Sequence, residues 1–200
     1  MCIRDRLTSK ETTIISDELN HNCIINAIRL SRPFDKKIYK HNDMDGLERF
    51  IKESIGSGAK RILIVTDGIF SMRGDYAPLD KIQAFAKKYD GEFPEGVVVM
   101  VDDSHGVGAF GETGRGTEEY TKAGKVDVLI GTLGKAFGVN GGYVASSEIV
   151  TRYLREKAIT YIYSNPITVG EAAATLEVLE FIDTKAGKER LKHLRRLTKK

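Results

Sequence analysis

Cysteine is scarce in this 200-residue chain, present only as Cys2 and Cys23. Two thiols cannot build the disulfide framework of a small secreted domain, and such usage fits a reducing compartment, the cytoplasm. Long apolar runs are missing too. The longest spans Val97 to Val101, far short of the about 18 residues a membrane-spanning helix needs. The opening residues lack the charged, apolar and cleavable succession of a secretory signal. The chain has no internal repeat and no low-complexity stretch. Asp102, Asp103 and His105 lie close in sequence, but adjacent aspartates at a strand end point apart and no second histidine or cysteine cluster helps them. No metal site is expected.

What is present favours one folded, soluble domain: 41% of residues are hydrophobic and 30% charged. The net charge of +3 is uneven, because residues 184–200 hold eight lysines and arginines against one acid. Leu191, Leu194 and Leu197 recur at spacing three in that tail. This predicts a helix over 188–200 with one apolar face, whose cover lies outside the chain. No aromatic residues interleave with the basic ones, so neither nucleic acid nor membrane is expected as a partner. Both ends read as cut. Residues 1–6 read as an unrelated leader, 7–183 as the domain proper, and 184–200 as the start of a connection to a further domain.

Strand-like and helix-like segments alternate along the chain. Strands are predicted over residues 12–16, 37–39, 61–66, 97–101, 126–131, 142–145 and 159–163, and helices over 22–30, 44–55, 79–89, 147–157 and 166–182. Continuously apolar strands separated by amphipathic helices imply an α/β fold, a mostly parallel sheet with helices on both faces. Such sheets place ligands beyond the carboxyl ends of their strands. Three strong strands end there in polar residues beside glycine: Asp67 to Gly74, Asp102 to Gly106, and Thr132 to Lys135. The G-x-G-x-x-G match over Gly106 to Gly111 is a poor dinucleotide site, since four polar residues separate it from the strand and more loop follows.

Lys135 is the stronger lead. A lysine after Gly-Thr-Leu-Gly at a buried strand end is expected to be near-desolvated, which lowers an amine's pKa and makes it a Schiff-base nucleophile. Pyridoxal phosphate needs such a lysine and a carboxylate for its pyridinium nitrogen, and Asp102 ends the neighbouring strand.

The segments VDDSHGVGAFGETGRG, GTLGKAFG and TDGIFSM strongly resemble the α-oxoamine synthase family of pyridoxal-phosphate enzymes, from about Leu7 onward. The resemblance implies the large domain of a fold-type-I transferase, truncated at both ends. It implies that Lys135 carries the cofactor, that Asp102 pairs with the ring nitrogen, and that His105 meets the phenolic oxygen with Ser71 beside it. His21 would stack on the ring, Thr132 would bind the phosphate, and Ser164 and Asn165 would reach the phosphate of the other subunit of a homodimer. Two plainer readings stay open: His21 as a cap of its own loop, and Ser71 as an ordinary turn serine. Asp67 and Asp103 read as structural, and Arg115 as a loop or interface residue.

The implied reaction condenses glycine with acetyl-CoA to 2-amino-3-oxobutyrate. The alternatives are alanine with an acyl thioester, or a non-catalytic subunit of the same fold. Residues 136–143 are one residue shorter than in many relatives. The regions that supply phosphate-gripping amides and a carboxylate-binding arginine fall outside the chain. Alone, it is expected to be inactive and to bind cofactor weakly.

Overall fold

The computed structural model describes residues 7–198. The leader reading of residues 1–6 falls outside the described residues. In chain order the elements are β1 (Thr12–Asp17), α1 (Asn22–Ser31), β2 (Asp35–Tyr39), α2 (Met44–Ser54), β3 (Arg61–Asp67), β4 (Ile69–Phe70), β5 (Asp75–Tyr76), α3 (Leu79–Tyr89) and β6 (Val97–Asp102). There follow α4 (Thr117–Thr121), β7 (Val128–Thr132), β8 (Gly142–Ser146), α5 (Glu148–Lys157), α6 (Ile159–Ile162), α7 (Val169–Asp183) and α8 (Lys185–Thr198).

The main sheet runs β2-β1-β3-β6-β7-β8 and is parallel except for β8, while β4 and β5 form a separate hairpin. β3 and β6 are apolar along almost their whole length because both faces are covered. Ile15, Ile62, Ile64, Val99 and Val101 face Leu47 and Ile51 of α2 and Leu79 and Ile82 of α3. The alternate residues Ile14, Leu63, Val65 and Met100 face Ile24 and Ile28 of α1. Register aligns the site edge: Asp67 pairs with Asp102, and Asp102 with Ile130. Among the described residues, no helix is long and apolar enough to cross a membrane, and no group of three or more histidine, cysteine, aspartate or glutamate side chains is placed to hold a metal ion.

Three expectations need correction. Residues 159–163 alternate β-branched and aromatic side chains like a strand, but Ile159–Ile162 is helical. The Tyr161 and Ile162 N–H groups donate to Ala158 O at 2.9 and 3.1 Å, and the segment pairs with no strand. The helix predicted from residue 166 starts at Val169 instead. Thr168 and Glu171 close a reciprocal cap there: Thr168 Oγ1 accepts Glu171 N–H at 3.2 Å, and Glu171 Oε2 accepts Thr168 N–H at 2.7 Å. Finally, the basic helix finds part of its cover within the chain. Leu191 is buried against Gly114, whereas Leu194 and Leu197 stay exposed. Arg195 fastens the same helix by donating to Gly111 O at 2.7 Å and Glu112 O at 2.9 Å.

Candidate active site

Four loops leave the carboxyl edge of the sheet, and each is built by its own hydrogen bonds. After β1, the buried Asn20 ties β1 to β3. Its Nδ2 donates to Val65 O at 2.8 Å and Ser16 Oγ at 2.9 Å, and its Oδ1 accepts Asp67 N–H at 2.8 Å. Asp67 Oδ2 in turn accepts the backbone N–H of His21 at 2.7 Å. His21 then caps α1, its Nδ1 accepting Cys23 N–H at 3.1 Å. An imidazole that accepts at Nδ1 carries its neutral-form proton on Nε2, so the cap also sets the tautomer and orients the ring.

After β3 the chain turns into the β4–β5 hairpin, with Ser71 exposed at its tip. After β6, Asp103 is fully buried and anchors the loop that carries His105. Asp103 Oδ2 accepts Thr117 N–H and Oδ1 accepts the Thr117 hydroxyl, both at 2.7 Å. Its carbonyl accepts Gly106 N–H at 2.9 Å and Val107 N–H at 3.0 Å. Burial pushes this carboxyl up to about 6, against the two Thr117 bonds. The far side of the loop rests on Glu119, which accepts Thr113 N–H at 2.9 Å and Arg115 N–H at 3.0 Å. Arg115 also forms a bidentate pair with Asp183 at 2.6 and 2.9 Å, joining the loop to α7. The glycine-rich segment is therefore loop throughout and opens no dinucleotide-binding helix.

After β7, Thr132 Oγ1 accepts Gly134 N–H and donates to Gly141 O, each at 3.2 Å, which folds the chain back past Lys135. Lys135 is exposed at this edge, not desolvated as its strand-end position suggested. The reason is that the Leu133 side chain, not that of Lys135, turns into the small cluster with Phe137 and Val139. Lys135, Asp102 and His21 all act on the charge of His105. Partial desolvation first, then the positive charges of Lys135 and His21, hold its pKa below the usual imidazole range, while Asp102 opposes them. Ser164 and Asn165 lie in the wholly exposed stretch 161–170. Ser164 nevertheless shares a cleft of about 670 Å³ with Ser104, Thr132, Tyr143 and Arg155.

A family model described as aminotransferase class I and II matches residues 4–200. The chain belongs to that family.

Within the aminotransferase class I and II family, its relatives are α-oxoamine synthases. It is 48% identical over 183 residues to an 8-amino-7-oxononanoate synthase of Fervidobacterium nodosum, covering 90% of this chain and 44% of that protein. It is 44% identical over 187 residues to a 2-amino-3-ketobutyrate coenzyme A ligase of Escherichia coli, covering 92% and 45%. A serine palmitoyltransferase solved with pyridoxal phosphate superposes with a TM-score of 0.81 at 28% identity, over 96% of this chain and 46% of that one. The chain thus spans under half the length of each of these three relatives.

The cofactor of this family is pyridoxal 5′-phosphate, and the donor set at the sheet edge fits it. Asp102 Oδ1 accepts Ser104 N–H at 3.2 Å, while Oδ2 takes no hydrogen bond among the described residues. Lys135 Nζ makes no hydrogen bond or ion pair among the described residues. A side chain built at Gly134 would meet nothing closer than Thr132 Oγ1 at 3.5 Å, so the backbone beside Lys135 is open to a bound molecule. Sequence reasoning missed Asn20, which positions both Asp67 and His21. The available signal was an amide side chain directly before the histidine at a strand end.

Proposed function

We propose that this chain is the cofactor-holding part of an acyltransferase that condenses glycine with acetyl-CoA to 2-amino-3-oxobutyrate, a glycine C-acetyltransferase. The observation that supports the reading is the convergence of Lys135, Asp102, His21 and His105 from the ends of three parallel strands on one edge of the sheet.

Bound pyridoxal phosphate supplies an electron-withdrawing ring that stabilises negative charge at the amino-acid Cα. Lys135 would hold the cofactor until the amino acid displaces it, and the freed Nζ amine would then take the Cα proton. Asp102 pairs with the ring nitrogen and keeps its proton in place. His105 donates toward the phenolic oxygen with Ser71 beside it, and the His21 ring, oriented by its cap, covers one face. Thr132 contacts the phosphate. Ser164 and Asn165 serve the phosphate of a second copy in a cytoplasmic homodimer. The glycine Cα bonds to the acetyl carbonyl carbon as the thioester C–S bond breaks, and coenzyme A leaves as the thiol.

A second reading, alanine with a pimeloyl thioester and loss of CO₂, is favoured by the 48% identity to an 8-amino-7-oxononanoate synthase. A thiol-release assay on the full-length protein separates the two. Coenzyme A release with glycine and acetyl-CoA but not with alanine and pimeloyl-CoA supports the first; release only with alanine and pimeloyl-CoA replaces it with the second. Release from neither pair, in a protein that binds the cofactor, sinks both.

A further inference from the structure

His41 lies away from the residues assigned above, yet it is one of the most heavily bonded side chains in the molecule. It follows β2, and its ring stands between two carboxylates. Nδ1 is 3.0 Å from Asp17 Oδ1 at the end of β1, and Nε2 is 3.0 Å from Asp75 Oδ2 on β5. The ring of Phe70, on β4, meets it edge-on at 4.4 Å. Asp17 is itself buried and also accepts Leu19 N–H at 2.8 Å and Asn42 N–H at 2.9 Å. The backbone N–H of His41 donates to Glu18 Oε1 at 3.1 Å.

A neutral imidazole has one N–H and one lone pair, so it can donate to only one of two flanking carboxylates and must turn its lone pair to the other. Only the imidazolium satisfies both. We propose that His41 is a positioning residue: as an imidazolium clamped between Asp17 and Asp75, it fixes the β4–β5 hairpin, and with it Ser71, to the sheet edge that carries His21. Its catalytic consequence rests on the reading of Ser71 given above; the clamp itself does not.

Other charges face this ring. Glu18 comes from the loop after β1, where Lys40 meets it at 2.8 Å, and Arg73 of the hairpin turn lies 3.3 Å from Asp75 Oδ2. The Asn42 amide stands 3.3 Å from Nε2. Partial burial works to lower the His41 pKa, but its bonds to Asp17 and Asp75 together outweigh it, and the net shift is upward. The folded pKa being raised, the clamp is complete below the ordinary imidazole range and is lost as pH rises through the raised value.

The test is amide hydrogen exchange on the intact full-length protein, followed at Gly74 and Ala77, whose N–H groups donate to Phe70 O and Gly68 O. Protection there is expected to fall about tenfold between pH 6 and pH 9, once corrected for intrinsic exchange, with the core strands unchanged. Asp75→Asn discriminates a charge clamp from a merely structural contact. An amide can donate to the neutral Nε2, so protection in this variant is expected to be independent of pH. A wild-type hairpin whose protection ignores pH, or an Asp75→Asn variant that keeps the wild-type dependence, overturns the proposal. Neither readout needs cofactor or turnover, so failure of the clamp and failure of the proposed reaction register separately.

Discussion

Asp103 grips Thr117 with both carboxylate oxygens at 2.7 Å, across a loop of thirteen intervening residues that carries His105. Replacing it by alanine strands the Thr117 N–H and hydroxyl in a buried site and is expected to cost roughly 2–4 kcal/mol. Asparagine can accept from the N–H and donate to the hydroxyl, so Asp103→Asn should retain most of the stability. The two variants also differ in pH dependence. A carboxyl raised from 3.8 to about 6 takes up a proton on folding. Its contribution to stability therefore falls as pH rises across that window. Urea melts at several pH values should show that component in the wild type and not in Asp103→Asn.

The same carboxylate is walled by glycine. A side chain added at Gly106 would run into the Asp103 carboxylate, although the Gly106 backbone itself is open to any residue. Gly106→Ala is expected to cost roughly 1–3 kcal/mol through steric conflict alone. Gly91 is the matched control, since a side chain there meets nothing within 4 Å. Gly91→Ala should stay within about 0.5 kcal/mol in the same urea melts.

Asn20 makes three hydrogen bonds in a buried position. Asn20→Ala removes the Asn20 hydrogen bonds to Asp67 N–H and Val65 O. The expected loss is about 2–4 kcal/mol, read by thermal or urea unfolding. Because Asp67 also holds the His21 backbone, the variant should loosen the start of α1. Faster hydrogen exchange at Cys23 N–H, beyond the global change, reports that effect.

The contrast between what the sequence disclosed and what it hid has a physical cause. Residues 61–66 and 97–101 were legible because a strand buried on both faces must be apolar throughout. Asp102, His105 and Lys135 could be nominated because each lies at the end of β6 or β7 or within three residues beyond it. Residues 159–163 were misread because β-branched and aromatic side chains fit a strand only where a neighbour offers hydrogen bonds, and this segment has none. The exposure of Lys135 was hidden by the local turn at Thr132, which sends Leu133 inward instead. The His41 clamp was invisible because Asp17 ends β1, His41 follows β2 and Asp75 starts β5, segments far apart in sequence that only the order β2-β1-β3 and the hairpin after β3 bring together.

The central claim is that Lys135 is the lysine that carries the cofactor. The most direct measurement treats the full-length protein with pyridoxal phosphate, fixes the adduct with borohydride, and locates the stable pyridoxyl group by peptide mass spectrometry. The label is expected on Lys135 and is expected to be lost in Lys135→Ala without a new site appearing. A label on another lysine of the chain, or an undiminished label in Lys135→Ala, would contradict the claim.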